Sequence, residues 1–299
     1  MPRRALIQFS LLAAFWGASY LFIKVALEDG VGPLPIVFAR TALAALVLLP
    51  LALARGYLGG IRSLAGPVFV LAFVQIAAPF TLISVGEQNL PSALTGILVA
   101  TAPIFTFLLA FALTGEERAG GLSLLGVGVG VVGVALLLGV DAEGGAPALV
   151  GGLLVVLATT GYALGAWYSK RALSGVEPVG LAAATMAAAA LMVAPFAALD
   201  LPGHAPSIEA AGSLVALGVL GTGVAFVFVH SLIAAIGPAR MSLVAYVAPA
   251  FSVIYGVTLL GEEFGLATAA GLVLIVAGSW LAAEGRLPWA RPAAAAEAA

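Results

Sequence analysis

The sequence predicts an all-α integral membrane protein in which ten transmembrane helices form two inverted-topology five-helix repeats around a central pathway. Three observations carry this reading. Ten apolar runs are long enough to cross a bilayer, basic residues are confined to one side of them, and a Pro and Gly-Glu-Glu pattern recurs 146 positions further on.

The apolar runs come first. Of the 299 residues, 63% are apolar and 9% charged, whereas soluble domains carry roughly 25% charged residues. So few charges cannot cover a water-facing surface, so the solvent has to be lipid. A span needs about 20 mainly apolar residues. Such runs fall at 5–27, 35–54, 64–84, 91–113, 120–140, 148–169, 179–199, 210–235, 239–260 and 265–283. The first is too long for the h-region of a signal peptide and nine similar runs follow, so it reads as a span. Connectors such as Glu28 to Leu34 are too short to hold a soluble domain.

Composition also excludes function classes. Twelve basic residues and a net charge of −2 leave no nucleic-acid footprint. The absence of cysteine removes disulfides, thiolate metal sites and cysteine nucleophiles, and two histidines cannot build a multi-histidine centre. No metal, other cofactor or enzymatic activity is expected. The expected partners are the lipid bilayer and a small-molecule substrate, with the chain a monomer or weak homodimer.

The charges orient the chain. Arg3, Arg4, Arg55, Arg62, Arg118, Lys170, Arg171, Arg240, Arg286 and Arg291 all fall on the side of the N-terminus. The opposite connectors hold only acids, among them Glu28, Asp29, Glu87, Asp141, Asp200, Glu209 and Glu262. By the positive-inside rule both termini are cytoplasmic.

The repeat follows. Ala102-Pro103-Ile104-Phe105 runs on to Gly115-Glu116-Glu117, and Ala248-Pro249-Ala250-Phe251 runs on to Gly261-Glu262-Glu263. Gly126 and Gly133 pair with Gly271 and Gly278, and Pro50 with Pro195. One offset held over several helices marks a duplication. The repeats are expected at 1–146 and 147–285, followed by a disordered cytoplasmic tail at 286–299. Five helices per half is an odd number, so the second half enters the membrane from the other side. That plan places a substrate site near the midplane between the halves.

Candidate pathway residues are those that break the apolar pattern. Pro103 and Pro249 lie mid-span at matching positions, and a broken helix in lipid is tolerated only where it is buried or lines a cavity. Trp16, Ser19, Tyr20 and Lys24 share one face of the first span. Lys24 and Arg40 are the basic residues inside spans; snorkelling to the headgroups and recognition of a substrate charge at the outer vestibule are both open to them. Gln75 suits an interhelical hydrogen bond or a substrate contact. His230 titrates near neutral pH when unperturbed and is a candidate for proton coupling. No Asp or Glu falls in the middle of a predicted span. Tyr162 and Tyr246 add aromatic surface. The fifth and tenth spans carry almost nothing polar. Their Gly128-Val129-Gly130-Val131-Val132-Gly133 matches a dinucleotide fingerprint by chance, inside a span with no preceding strand. Gly126 and Gly130, and also Gly161 and Gly165, form small-residue faces for close helix packing instead.

The chain resembles the EamA family of the drug/metabolite transporter superfamily over nearly its whole length. The resemblance rests on Phe15-Trp16-Gly17-Ala18-Ser19-Tyr20 with Lys24, on Phe38-Ala39-Arg40, and on Ala102-Pro103 leading to Gly115-Glu116. It continues through Gly237-Pro238-Ala239-Arg240 and Ala248-Pro249 to Gly261-Glu262. It implies ten helices around a central pore, with the fifth and tenth peripheral. It also implies export of amino acids or similar metabolites across a bacterial inner membrane by alternating access; a multidrug or nucleotide-sugar carrier is the alternative. Arg40 has Thr185 at the matching place in the second half, so any role for that cation is asymmetric.

Overall fold

The computed structural model describes residues 1–114, 121–140 and 145–285. Among these, ten helices are long and apolar enough to span a bilayer. They are α1 (Arg3–Glu28), α2 (Pro33–Ala54), α3 (Ile61–Glu87), α4 (Ser92–Leu113), α5 (Gly121–Gly139), α6 (Gly145–Ala172), α7 (Pro178–Ala197), α8 (Ile208–Ile236), α9 (Pro238–Leu259) and α10 (Leu266–Glu284). Every boundary lies within three residues of the sequence expectation. Glu116, Glu117, Arg118, Asp141, Glu143, Arg286, Arg291 and the expected tail lie outside the described residues.

Helix packing repeats with the expected symmetry. The pairs α2–α7, α4–α9 and α5–α10 each join a helix to its counterpart in the other half. The remaining large contacts come in matched sets: α1–α8 with α3–α6, and α1–α9 with α4–α6. Lipid tails are as apolar as leucine, so burial itself does not drive these contacts; close packing does. Small residues make it possible. Ala44, Ala45, Ala182, Ala183 and Ala189 let α2 and α7 pack closely around Leu48 and Met186. Between α5 and α10 the backbones meet: a Cβ on Gly126 would strike the Gly278 carbonyl and the Ala282 amide, and one on Gly278 would strike Gly126 and Gly130. Gly161 and Gly165 likewise face Pro79 and Gln75 of α3.

The helices are irregular at matched places. In α3 the turn Ala72–Ala77 is π-helical, and in α8 so is Val219–Val224, 147 positions later. Pro79 explains the first, because its ring denies the Gln75 carbonyl the usual i+4 donor. The second contains Gly221-Thr222-Gly223, and Thr222 Oγ1 donates to the Leu217 carbonyl five residues back at 3.0 Å. Span α4 is interrupted at Ala100 and Thr101, and its second half restarts at Ala102, where Pro103 suits the first turn. The Ala100 carbonyl freed by the break accepts the Ser279 hydroxyl of α10 at 2.7 Å.

The Gly-Glu-Glu pattern has a structural task in the second half. Gly261 turns at φ +68, and Glu262 then accepts the Ser92 and Ala93 main-chain N–H groups at 2.6 and 2.9 Å. A carboxylate from the second half thus caps the N-terminus of α4 in the first, where orphan donors and the helix dipole both favour it. At the same membrane face Asp29, just beyond α1, accepts the Ser207 N–H at the start of α8 at 3.0 Å.

Two predictions follow from this packing. Gly126→Leu overpacks a backbone contact that cannot yield, and is expected to cost about 1–3 kcal/mol. Gly128, with nothing within 4 Å of a built Cβ, is expected to accept leucine with no change; melting curves in detergent compare the two. The Ser207 hydrogen bonds hold the Asp29 carboxyl below its ordinary value of 3.8. Because the folded value is the lower one, this stabilisation is complete above 3.8 and disappears as pH falls through the depressed value. The difference in melting temperature between wild type and Asp29→Ala is therefore expected at pH 7 and should vanish on acidification below 3.8.

Candidate functional site

A cavity of about 270 Å³ lies between the halves, walled by α1, α2, α3, α4, α6, α8 and α9. Neither α5 nor α10 contributes a lining residue, in keeping with their apolar sequences. Seven residues expected from the sequence line it: Trp16, Ser19, Tyr20, Arg40, Gln75, Tyr162 and Pro249.

The α1 stripe reaches the cavity because Gly17, on the adjoining face, lets α1 cross α9 at backbone distance. A Cβ there would strike Phe251 and the Ala248 carbonyl. Ser19 spends its hydroxyl on the Phe15 carbonyl at 3.1 Å. Gly96 of α4 sits against Tyr20 and Ser252 and leaves the floor open.

Prolines shape the wall in a second way. Pro103 and Pro249 withhold the i+4 donor from the carbonyls of Val99 and Ala245, and Pro79 does so for Gln75. All three of those residues line the cavity. The π turns matter equally: Gln75 and Phe80 of α3, and Gly221 and Phe226 of α8, face it although they are five apart. On a regular α-helix such residues point about 140° apart. Phe80 and Phe226 therefore escape a helical-periodicity reading.

Arg40 is the one charged residue in the lining. It is 8% exposed, so it does not snorkel. Its Nε donates to Thr222 Oγ1 at 2.8 Å, and its guanidinium carbon lies 3.6 Å from the centre of the Phe80 ring. Thr222 is the counterpart of Gln75, so the cation of one half is held by the π turn of the other. Among the described residues its partners are thus a hydroxyl and a ring. A cation–π contact is worth up to about 2 kcal/mol when desolvated, which is less than the several kcal/mol cost of burying an unpaired ion. Five N–H donors on one guanidinium leave capacity for an anion in the cavity. The matching Thr185 bonds only carbonyls of its own helix, at 2.9 and 3.1 Å.

The other expected residues lie outside the lining. Lys24 donates to the carbonyls of Glu87 and Leu90 at 3.3 and 3.1 Å, so its charge turns inward to the end of α3 rather than out to headgroups. Pro103 starts the second half of α4, one residue past the lining Ala102. His230 Nδ1 donates to the Phe226 carbonyl at 2.6 Å. Tyr246 donates to the Ser279 carbonyl at 3.4 Å and packs on Trp280. Glu87 corrects the sequence reading: it is not a connector acid but the last residue of α3, fully buried. Its carboxylate oxygens have no hydrogen-bond partner among the described residues. The continuation of α3 one turn past the apolar run carries Glu87 between its neighbours, and hydropathy does not register one turn.

Two segments, residues 3–139 and 149–283, match the EamA-like transporter family. The chain is 28% identical over 257 residues to the uncharacterized inner membrane transporter YedA of Escherichia coli (strain K12), covering 84% of this chain and 81% of that one. It is 26% identical over 256 residues to the "Probable terminal-alkyne amino-acid exporter" of Streptantibioticus cattleyicolor, covering 84% of each. A solved structure with 22% identity superposes with a TM-score of 0.67 over 94% of this chain and 97% of the other, which shows the fold. The family is one of transporters, not enzymes, and its duplicated match coincides with the two five-helix halves around the cavity. The chain belongs to the EamA-like transporter family: it is a multi-pass membrane transporter for a small molecule.

Proposed function

We propose that this transporter exports amino acids or close derivatives from the cytoplasm across a bacterial inner membrane by alternating access. The observation that carries the proposal is Arg40, a buried cation in the cavity wall that makes no salt bridge among the described residues and meets Glu87 only at longer range. A substrate carboxylate supplies the missing partner, and the guanidinium fork binds it in two-pronged fashion. Gln75 and the carbonyls released by the prolines offer acceptors for an ammonium group. Trp16, Tyr20, Phe80, Tyr162 and Phe226 suit an apolar or aromatic side chain. The volume also favours a small substrate, since about 270 Å³ is below the roughly 300–1,000 Å³ of pockets for drug-sized ligands. A nucleotide sugar brings two phosphates to a cavity with one cation, and a cationic drug meets no acid in the lining. The naming of one relative as an amino-acid exporter and of another as an inner membrane transporter supports the same reading.

A cytoplasmic N-terminus is supported by the charges: the described cations at helix ends and connectors (Arg3, Arg4, Arg55, Arg62, Lys170, Arg171 and Arg240) fall at one face of the alternating helices, as the positive-inside rule expects of the cytoplasmic face. Both halves of a single chain wall the cavity, so a monomer suffices for transport.

In proteoliposomes, labelled amino acids are expected to exchange above the level of empty vesicles; exchange of only drugs or nucleotide sugars would overturn the reading. Arg40→Gln should weaken amino-acid transport at least about 30-fold, the equivalent of losing about 2 kcal/mol from a buried charged contact. The matching decarboxylated amine should not share that loss. Orientation has a clean test because the chain lacks cysteine. An impermeant maleimide on whole spheroplasts is expected to label Ala205→Cys and spare Ser174→Cys. The reverse pattern would overturn the cytoplasmic placement of the termini.

A further inference from the structure

We propose that Glu87 is a proton-binding site set just beyond the substrate cavity, and that its protonation goes with closure of that end of the pathway. The proposal rests on the transporter reading above and concerns a residue outside the cavity lining.

Geometry places Glu87 on the closed end. Ile83, Tyr20 and Gly96 line the cavity on α3, α1 and α4. Glu87, Lys24 and Ser92 lie four residues from each of them along the same helices, all toward the membrane face where α1 and α3 end and α4 begins. Four residues make one helical turn on one face, about 6 Å along the axis. These three polar residues thus form a layer one turn beyond the cavity, between it and that face. By the charge distribution the face is the external one.

The layer is buried and incompletely paired. Glu87 is 0% and Ser92 1% exposed, and both Glu87 carboxylate oxygens and the Ser92 hydroxyl lack a hydrogen-bond partner among the described residues. Lys24 attracts the Glu87 carboxylate through space but gives it no hydrogen bond, because its ammonium is directed at the main-chain carbonyls of Glu87 and Leu90. The charged and titratable groups facing Glu87 are Lys24 of α1, Arg40 of α2, Tyr20 of α1 and Glu262 beyond α9. On the α6 side, Gly86 packs against Gly151 and Val155, which bring no charge. Glu262 is already committed to the Ser92 and Ala93 N–H groups.

An ionised carboxylate held here without donors is costly, and one bound proton removes the charge. Opening the face to water lets the carboxylate take a proton from outside, closure carries that proton in, and it leaves to the cytoplasm through the cavity one turn away. The bookkeeping is one proton on and one off a single carboxyl oxygen, with no other bond changed. Separation of the halves at this point also breaks the Glu262 cap. Proton loading and closure therefore happen at one place, which gives a means of coupling an inward proton to an outward substrate.

Two measurements on the full-length protein test this. In infrared difference spectra across a pH titration, the wild type is expected to show a carboxylic-acid carbonyl band that Glu87→Gln lacks. An identical band in both proteins, or none in either, would overturn the proposal whatever the substrate. In proteoliposomes containing a pH dye, one pH unit should support about tenfold substrate accumulation for one-to-one exchange, with matching proton flux. In Glu87→Gln the gradient-driven rate, taken relative to equilibrium exchange, should fall about tenfold or more. A wild type driven by a sodium gradient and indifferent to pH would overturn the proposal. If Glu87→Gln does not fold, the wild-type proton flux alone decides. Absence of any amino-acid exchange alongside a Glu87-dependent band would instead sink the substrate assignment and support the proton site.

Discussion

Lipid offers no hydrogen bond to a main-chain carbonyl, and the rest of this structure follows from that constraint. Each departure from the α-helical ladder has to be satisfied within the protein or face a cavity. The break in α4 meets it through Ser279, the α8 π turn through the Thr222 hydroxyl, and the start of α4 through Glu262. The positions freed beside Pro79, Pro103 and Pro249 collect around one space, whereas Pro50 and Pro195 interrupt the last turns of α2 and α7 away from it. The cavity is therefore where the mid-span irregularities gather.

The duplication supplies the π turns and the mid-span prolines of α4 and α9 in pairs, and sequence divergence decides which of each pair carries chemistry. The matched π turns hold Gln75 in one half and Thr222 in the other. Of the matched helices α2 and α7 only α2 carries a cation, and it is bound by the π turn of the opposite half, while Thr185 turns back on its own helix. A symmetric frame thus holds an asymmetric site. A transporter needs both: pseudo-symmetry gives two alternative closures of similar energy, and asymmetry gives one substrate pose. The bond from Arg40 to Thr222 and the cap from Glu262 to α4 both cross between halves, so either changes if one half rocks against the other.

Much of this was legible in the residues. Span positions follow from hydropathy, which depends only on local composition. The repeat follows from spacing, and Trp16, Ser19 and Tyr20 from α-helical periodicity on a regular stretch. Phe80 and Phe226 were not legible, because a π turn shifts the helix face and no composition rule marks it. Lys24 and Arg40 looked alike as basic residues within spans. One caps a neighbouring helix and the other enters the cavity, a difference set by which helices pass beside them.

The sequence by itself determined ten spans, their alternation, the duplication and the family, because these depend on local apolarity and chain order. Tertiary structure decided which polar residues meet. Glu87 is the clearest case: as a residue beside a short connector it reads as solvated, and only the packing of α1, α3, α4 and the Glu262 loop buries it. Burial of a side chain is a property of its neighbours in space, and in a two-fold bundle those neighbours come from the distant half of the chain.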